Sequence, residues 1–380
     1  MEKVIKTKKG LFIRVHKGFG AIIFSPFSGL FFAVKENFID DVINYCNGKN
    51  ATLPNEIIDH LNIGCISEVE KHFEIKHYLP SSEGFLESNE LPENPIVINW
   101  LISNKCNCNC SYCYAGDVID KPFEFSDIKD TAIQILSHNP LAIVISGGEP
   151  LLEKQKLLDA LEILGDKVGI IVDTNGLIWD NDLIRQFKKY KVVIRVSLDS
   201  LHGETNGRIR PIRDKKQNKT ALNIIVKNIA DYRKNKIPVL VHTVVTSINK
   251  NSLDDLFNKL PVLGVNGWRI FSVIKPNDKD KQDSFDEILK YRSKGTFSSL
   301  QTELRKKINH FTSSHSSKSN FSIQVIPTGE NEKNSVVLVL PNGKFSTELL
   351  SANQKIDVNK DSIFKRVNLW GHYERYLGKI

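Results

Sequence analysis

The middle of the chain alternates short apolar runs with segments whose apolar residues recur at helical spacing. Leu157, Leu158, Leu161 and Leu164, for example, fall on one face of a helix. Runs that are apolar at nearly every position are typical of parallel strands covered by helices. The pattern predicts an α/β fold, a partial (β/α)6 TIM barrel, with its chemistry at the carboxyl ends of the strands. The predicted strands cover residues 96–102, 141–145, 168–172, 192–198, 239–245 and 268–273.

The segment before the barrel follows a different pattern. Three short strands at residues 11–15, 21–24 and 30–34 precede helices at 38–45 and 54–61. Short strands followed by helices predict a small N-terminal α+β domain.

The segment after the barrel combines helix and strand. A long helical stretch at 285–311 leads to strands at 322–326 and 336–340, and the turn Pro341-Asn342-Gly343 then indicates a hairpin-like cap. We therefore expect a short C-terminal extension that contains β-structure. The predicted domains are residues 1–92, 93–280 and 281–380.

Composition limits the partners of the chain. Its 380 residues are 41% hydrophobic and 25% charged, and no run approaches the ~20 apolar residues of a membrane span. The first residues lack the apolar centre of a signal peptide, so the predicted location is the cytoplasm, with no membrane partner. The net charge of +8 comes from scattered lysines without interleaved aromatics. A solvated basic surface is expected, and nucleic acid is not expected as a partner.

Four of the six cysteines are crowded between residues 106 and 113. In a reducing compartment, such crowding indicates metal binding or catalysis rather than disulfides. Cys46 and Cys65 lie far upstream among helix-like residues. They are interpreted as small buried hydrophobes without a chemical role.

Cys106, Cys110 and Cys113 have the spacing C-x3-C-x2-C directly after the first barrel strand. Three thiolates on one loop can wrap a cube of iron and sulfide and leave one iron without a protein ligand. A closed zinc site is the alternative, but it would need a fourth ligand. Cys108 is the local candidate, and its two-residue spacing to its neighbours is too short for the usual zinc arrangement. The spacing favours an iron–sulfur cluster, with Cys108 as a bystander.

This loop, with Asn107 after the first cysteine and the aromatic residues Tyr112 and Tyr114 around the last, resembles that of the radical S-adenosylmethionine (SAM) superfamily. The resemblance implies a [4Fe–4S] cluster whose open iron is chelated by the methionine part of SAM. Reduction of that complex releases a 5′-deoxyadenosyl radical, which takes hydrogen from a substrate. The resemblance also assigns Tyr112 to the cofactor site.

Further motifs of the superfamily follow in the expected order across residues 96–273. Ser146-Gly147-Gly148-Glu149-Pro150 at the end of the second strand resembles the GGE motif, whose backbone holds the amino group of SAM. On this basis, Gly148→Val should block SAM binding and spare the cluster. The resemblance assigns Gly147, Gly148, Glu149, Pro150, Asn175, Ser197 and Arg210 to the SAM site, with Ser197 and Arg210 at the ribose and carboxylate, and Asn249 to a polar turn after the fifth strand.

The flanks carry resemblances of their own. The N-terminal region resembles the small domain that binds leader peptides of ribosomally made natural products by strand addition, and an unrelated α+β cap is the alternative. If it binds a leader, deletion of residues 1–90 should leave SAM cleavage nearly unchanged. The C-terminal region resembles a SPASM domain without its ligands, since no cysteine follows Cys113. Auxiliary clusters are therefore not expected.

The leading expectation is a radical SAM maturase that takes hydrogen from a ribosomally synthesised peptide with a leader sequence. It would need an electron donor such as flavodoxin or ferredoxin. A radical SAM enzyme acting on a small molecule or nucleotide is the second hypothesis. A non-catalytic metal-binding interaction protein is the third, and intact glycines at 147 and 148 beside three cysteine ligands argue against it.

Overall fold

A computed structural model describes residues 4–16, 20–58, 61, 94–273, 302–303, 306, 321–326 and 336–347, except residues 56, 114, 117, 121, 123, 215 and 217. Cys65, Tyr114 and most of the helix predicted at 285–311 lie outside the described residues, as do residues 56, 59 and 60 of the helix predicted at 54–61. Within them, no helix is long and apolar enough to cross a membrane.

The N-terminal part forms an antiparallel sheet followed by a helix. In the described residues its strands pair in chain order: β1 (Val4–Lys6), β2 (Phe12–His16), β3 (Gly20–Ser25) and β4 (Leu30–Val34), and helix α1 (Ile39–Cys46) follows. The positions of β2 to β4 and α1 agree with the predicted segments. Cys46 is fully buried against the sheet, as expected for a small hydrophobe.

Both faces of this sheet are buried because its side chains alternate between two partners. Ile13, Ile23 and Phe32 point to α1. Phe24 and Phe31, on the other face, pack against the first residues of the barrel strands. An antiparallel sheet buried on both sides explains why its strands read as continuous apolar runs.

The barrel is a curved sheet whose consecutive parallel strands are joined by helices. Among the described residues, nine strands have the order β11-β10-β9-β8-β7-β6-β5-β12-β13. The strands are β5 (Val97–Ser103), β6 (Ala142–Gly147), β7 (Gly169–Thr174), β8 (Val193–Ser197), β9 (Val239–Val245), β10 (Gly267–Ser272), β11 (Ser322–Ile326), β12 (Leu338–Val339) and β13 (Phe345–Ser346). The helices are α2 (Ile128–Leu136), α3 (Lys154–Leu164), α4 (Asn181–Lys189), α5 (Gly203–Ile209), α6 (Asn218–Lys234) and α7 (Leu253–Val262). The predicted α/β fold and partial barrel are confirmed.

Local sequence sets the ends of several helices. The Asp127 carboxylate accepts from the N–H groups of Lys129 and Asp130 at 2.7 and 3.0 Å and begins α2. Asp180 begins α4 in the same way. Such side-chain caps satisfy backbone donors that a helix cannot pair internally.

The C-terminal strands extend the barrel sheet at both edges. β11 pairs in parallel with β10, whereas β12 pairs in parallel with β5 at the opposite edge. β12 and β13 form a hairpin through the predicted turn, where Gly343 has φ +75°. Pairing satisfies the backbone groups that an edge strand leaves open. The predicted cap is therefore a hairpin built onto the barrel, with β11 separate from it.

The N-terminal sheet closes the end of the barrel at which the strands begin. Gly169 starts β7, and a Cβ atom there would lie 2.2 Å from the Phe24 ring. The fully buried Arg14 guanidinium donates to the carbonyl oxygens of Pro95 and Asn139 at 2.9 and 3.0 Å. Since the strands are parallel, this floor lies at the end opposite the cysteine loop.

Candidate cluster and cofactor site

The cysteine loop leaves the carboxyl end of β5, where three of its sulfur atoms lie together. The Cys108 N–H donates to Cys106 Sγ at 3.4 Å. The Cys108 thiol is also hydrogen-bonded to the sulfur atoms of Cys106 and Cys110. Cys113 packs instead against Leu101 and its neighbours on the other side of the loop.

Hydrogen bonds shift the pKa values of the Cys106 and Cys108 thiols in opposite directions. The Cys108 thiol and then its N–H lower the pKa of Cys106, although burial opposes them. The pKa of Cys108 is raised by its hydrogen bonds to Cys106 and Cys110 and by burial. Thiolates are the form that binds metal.

The donor atoms of the cysteine loop are of the kind that binds an iron–sulfur cluster. Soft thiolate sulfurs with backbone N–H donors are the environment that iron–sulfur clusters require. In the described residues, no group of three or more Cys, His, Asp or Glu side chains is arranged to hold a metal ion. Cys106 and Cys110, two of the three predicted ligands, pack against one apolar cluster with Cys108, whereas the third, Cys113, packs against another. The donor set fits the cluster, and the ligand assignment remains a prediction.

The two glycines at the end of β6 lie directly against the cysteine loop. A Cβ on Gly147 (φ +136°) would be 2.2 Å from the Ser103 carbonyl oxygen, and one on Gly148 would be 2.0 Å from that of Lys105. The Gly148 N–H donates to Ser103 at 2.8 Å, and the Glu149 N–H donates to Lys105 at 2.7 Å. Because Lys105 precedes the predicted ligand Cys106, a side chain at 148 would displace the loop at that position. The expectation that Gly148→Val spares the cluster therefore conflicts with this packing.

The Glu149 side chain is hydrogen-bonded to the carboxyl end of β7. Its buried carboxylate accepts from Thr174 Oγ1 at 2.9 Å, the Asn175 N–H at 2.7 Å and the Leu151 N–H at 3.1 Å. Burial raises the pKa of Glu149 to about 7, although these hydrogen bonds oppose the shift. Pro150 begins the short 3-10 turn that follows. The Glu149 side chain thus makes its hydrogen bonds within the protein. The backbone of the motif is the part that a ligand could contact.

Asn175 and Ser197 mark the ends of the next two strands. The Asn175 amide donates to Asn107 Oδ1 at 2.6 Å and so ties the loop after β7 to the cysteine loop. Ser197 is half-buried at the last position of β8, beside His242 of β9. Both predicted residues therefore lie at the carboxyl edge of the sheet.

Arg210 is buried and contacts protein groups. Its Nη1 donates to Tyr112 Oη at 2.6 Å and lies 3.7 Å from Asp199 Oδ2. Tyr112 Oη in turn donates to Asp199 Oδ2 at 2.5 Å. Asn249 donates to the Asp199 carbonyl oxygen at 2.8 Å. Two residues predicted for SAM, Tyr112 and Arg210, are thus joined through Asp199, to which sequence reasoning gave no role.

A distant segment pairs with the cysteine loop in the manner of a strand. Cys108 forms an antiparallel bridge with Ile212. The Asn109 N–H donates to the Pro211 carbonyl at 2.8 Å, and the Ser111 N–H donates to that of Ile209 at 3.1 Å. No motif or periodicity in residues 209–213 signals this pairing.

Polar side chains line the inner face of the barrel above its floor. Arg195 on β8 donates Nη2 to Asp173 on β7 at 2.6 Å. On β9 and β10, the His242 and Phe271 rings have centroids 5.0 Å apart, and the Arg269 guanidinium lies 5.6 Å from the Phe271 ring. Sequence reasoning missed these residues. The sequence feature that could have identified them is a charged or aromatic side chain at alternate positions of an otherwise apolar strand.

A cavity opens beside the cysteine loop, between the loop after β7 and helices α5 and α6. The space of about 310 Å³ includes open solvent, and its enclosed part has room for about one water molecule. Its lining residues include Cys108, Asn175, Leu177, Arg210 and Ile212.

Comparison with known proteins shows relatives of the barrel. Residues 100–260 match the family model described as the Radical SAM superfamily. A segment of 185 residues is 27% identical to an uncharacterised protein of Methanocaldococcus jannaschii and covers 47% of this chain and 63% of that protein. Another, of 209 residues, is 28% identical to an S-adenosylmethionine-dependent nucleotide dehydratase of Psychrobacter lutiphocae and covers 49% and 67% of the two chains. The chain thus spans about two thirds of the length of these relatives.

Solved structures extend the likeness over nearly the whole chain. Streptococcus suis SuiB bound to S-adenosylmethionine superposes with a TM-score of 0.59 over 98% of this chain and 89% of SuiB, at 14% identity. SuiB bound to its precursor peptide SuiA gives 0.58, over 98% and 90%, also at 14% identity. At this identity, the likeness shows a shared fold.

Proposed function

We propose that this chain, whose residues 100–260 belong to the radical SAM superfamily, cleaves SAM reductively at a [4Fe–4S] cluster and uses the resulting 5′-deoxyadenosyl radical on a substrate. In that superfamily, the cluster and SAM together supply the radical chemistry. The protein's own part is to hold, orient and shield them.

One observation carries this proposal. The Gly147-Gly148 backbone packs on the cysteine loop so closely that a Cβ at 148 would be 2.0 Å from the Lys105 carbonyl oxygen. The residues proposed to hold the methionine part of SAM are thereby fixed next to those proposed to hold the cluster. This is the adjacency that chelation of the open iron by SAM requires.

The remaining residues have distinct roles in the proposal. Cys106, Cys110 and Cys113 would hold the cluster. Asn175 and Ser197, at the ends of β7 and β8, offer polar groups to the rest of SAM. The floor formed by Phe24 and Phe31 shields the opposite end of the barrel from water. Exclusion of water limits quenching of a reactive intermediate.

The test is anaerobic reconstitution with iron and sulfide, followed by reduction in the presence of SAM. We expect about four iron atoms per chain, as in a [4Fe–4S] cluster, and formation of 5′-deoxyadenosine. Replacing Cys106, Cys110 or Cys113 by Ala should abolish iron binding, whereas the matched control Cys108→Ala should retain it. Tightly bound zinc without iron would overturn the proposal, and equal iron loss in all four variants would overturn the ligand assignment.

We further infer that the substrate is a ribosomally synthesised peptide. The support is the N-terminal sheet, which lies in a chain whose fold follows SuiB, a protein known with its precursor peptide, over 98% of its length. β1 and β4 are the edges of this sheet in the described residues. Edge strands are where a leader peptide could add by main-chain pairing.

A nucleotide is the second candidate substrate. The observation that favours it is the 28% identity to an S-adenosylmethionine-dependent nucleotide dehydratase over 209 residues, 49% of this chain. The two candidates differ in where binding occurs. A leader would use the N-terminal sheet, whereas a nucleotide would use the barrel interior.

Hydrogen exchange of the full chain separates these candidates. The probes are a synthetic peptide from any short reading frame found beside the gene, and a mixture of the four ribonucleoside triphosphates. The peptide is expected to protect β1 or β4 and to increase 5′-deoxyadenosine formation. Protection of the barrel strands alone, with stimulation by a nucleotide, would contradict the peptide assignment and support the nucleotide.

A further inference from the structure

We propose that Asp199 and Arg210 are positioning residues that hold the cysteine loop through Tyr112, and that Arg210 does not bind the carboxylate of SAM. This inference rests on the proposed function, because the held loop is the one proposed to carry the cluster. It assigns a role to Asp199 and changes the role expected of Arg210.

The first support is the closed contact among the three side chains. Tyr112 lies between the predicted ligands Cys110 and Cys113. Its hydroxyl donates to Asp199 at 2.5 Å and accepts from Arg210 at 2.6 Å. Asp199 is fully buried, and Arg210 is 8% exposed. A charge-assisted network in such surroundings is rigid when its members are all paired.

The second support is the anchoring of Asp199. Its second carboxylate oxygen accepts from the Val244 N–H at 2.8 Å, its own N–H donates to Asn206 Oδ1 at 3.1 Å, and its carbonyl accepts from Asn249 at 2.8 Å. These bonds fix Asp199 to β9, α5 and the turn after β9. The loop is therefore tied, through one hydroxyl, to the frame of the barrel.

The third support is independent of the contact among Tyr112, Asp199 and Arg210. Arg210 lies within the segment 209–213, whose backbone pairs with the cysteine loop on both sides of Cys108. The Arg213 N–H donates to the Asn107 carbonyl at 3.0 Å, and Ser111 Oγ donates to that of Ile209 at 3.2 Å. The backbone of segment 209–213 and the Arg210 guanidinium therefore both hold the cysteine loop.

Charge balance favours positioning over SAM binding. The contacts of Arg210 with Tyr112 and Asp199 use Nη1, so other N–H groups of the guanidinium could reach a ligand without breaking them. A SAM carboxylate there would share one cation with the fully buried Asp199, and like charges in one buried site repel each other. Positioning places no second anion beside Asp199.

A double-mutant cycle tests the proposal, with Tyr112→Phe, Arg210→Gln and the combined variant. Hydrogen exchange of residues 106–113 in the metal-free protein should rise about tenfold in Tyr112→Phe, which removes both hydrogen bonds of the hydroxyl, and less in Arg210→Gln, which leaves the bond from Tyr112 to Asp199. The combined variant should exchange no faster than Tyr112→Phe, since the Arg210 guanidinium acts on the loop through the same hydroxyl. Arg210→Lys should restore part of the protection. The matched control is Arg185→Gln, which removes an exposed pair with Asp182 on α4.

The reconstituted protein supplies a second readout. Tyr112→Phe and Arg210→Gln should shift the electron paramagnetic resonance spectrum of the reduced cluster in the same way and leave SAM affinity within about threefold of wild type. Additive effects on exchange would overturn the proposal. So would an Arg210→Gln protein that loses about tenfold or more in SAM affinity while Tyr112→Phe does not, because that is the signature of a carboxylate ligand. A wild-type protein that holds no cluster would overturn the proposed function, and the exchange result in the metal-free protein would still decide the positioning role.

Discussion

At the scale of single residues, Gly148 is defined by what lies against it. Its Cβ position is 2.0 Å from a backbone carbonyl oxygen of the cysteine loop, which cannot move without moving Cys106. Gly148→Ala should therefore destabilise the protein by about 1–3 kcal/mol through overpacking and should lower its iron content. Iron analysis after reconstitution and thermal unfolding measure both effects.

The control for that variant is Gly207→Ala. Position 207 lies in α5, where a Cβ would have no neighbouring atom within 4 Å, so alanine should stabilise the helix by about 0.5–1 kcal/mol. If both alanine variants keep the wild-type iron content, the tight packing of Gly148 does not position the loop.

The buried Glu149 carboxyl group is expected to make the stability of the protein depend on pH. Burial raises its pKa from an ordinary value of 4.5 to about 7 in the folded protein. The folded state then holds the proton more tightly than the unfolded state. The stabilising contribution is complete below about pH 4.5 and is lost as the pH rises through 7. Between pH 5 and 8, wild type should lose on the order of 2 kcal/mol more than Glu149→Gln.

Thermal unfolding across that range measures the difference. The exposed Glu162 on α3 provides the control, because Glu162→Gln should follow the wild-type profile. If the stabilities of wild type and Glu149→Gln change with pH in parallel, the Glu149 carboxylate has the same pKa in the folded and unfolded states. That result would contradict the prediction.

The sequence predicted residues of the site where the signal was local. The cysteine spacing and the Gly147-Gly148 pair are contiguous motifs, and the structure places them side by side. Asp199 was missed because its importance comes from Tyr112 and Val244, which lie 87 and 45 positions away. Its own neighbours, Leu198 and Ser200, carry no sign of either contact.

At the scale of elements, the N-terminal sheet serves as a floor. Phe24 is fully buried between that sheet and the barrel. Phe24→Ala should cost about 3–5 kcal/mol, the usual range for a buried aromatic residue. Phe27→Ala, at a side chain that is 47% exposed, should cost much less. Chemical denaturation measures both, and equal losses would show that the contact between sheet and barrel contributes little.

The same contact changes what a truncation can show. Removal of residues 1–90 would expose the apolar strand starts and delete the Arg14 bonds to Pro95 and Asn139. SAM cleavage is therefore expected to fall with the stability of the truncated protein, contrary to the expectation that it stays nearly unchanged. Single substitutions in the full chain are the appropriate tests of leader binding.

Strands and helices of the barrel were predictable because periodicity is a property of each element alone. The partners of β11 and β12 were not, since an apolar run of this length can pair at any open edge. Only the complete sheet shows that β11 lies beside β10 and β12 beside β5.

At the scale of the whole molecule, one apolar contact surface joins the N-terminal sheet to the barrel. We expect both to unfold together, because separation would expose that surface. Hydrogen exchange at rising urea concentrations should release β2–β4 and β5–β9 in one transition. Release of the sheet at distinctly lower urea would indicate two independent units.

The floor also has a consequence for synthesis of the chain on the ribosome. The sheet that carries Phe24 and Phe31 is complete at Val34, whereas the last barrel strand that it contacts, β9, ends at Val245. At synthesis rates of about 5–20 residues per second, the intervening ~210 residues take roughly 10 to 40 s to be made. During that interval, the aromatic face has no barrel to cover it. The nascent chain therefore presents an early and long-lived binding site for chaperones, and its yield in cells should depend on them more than its final stability would suggest.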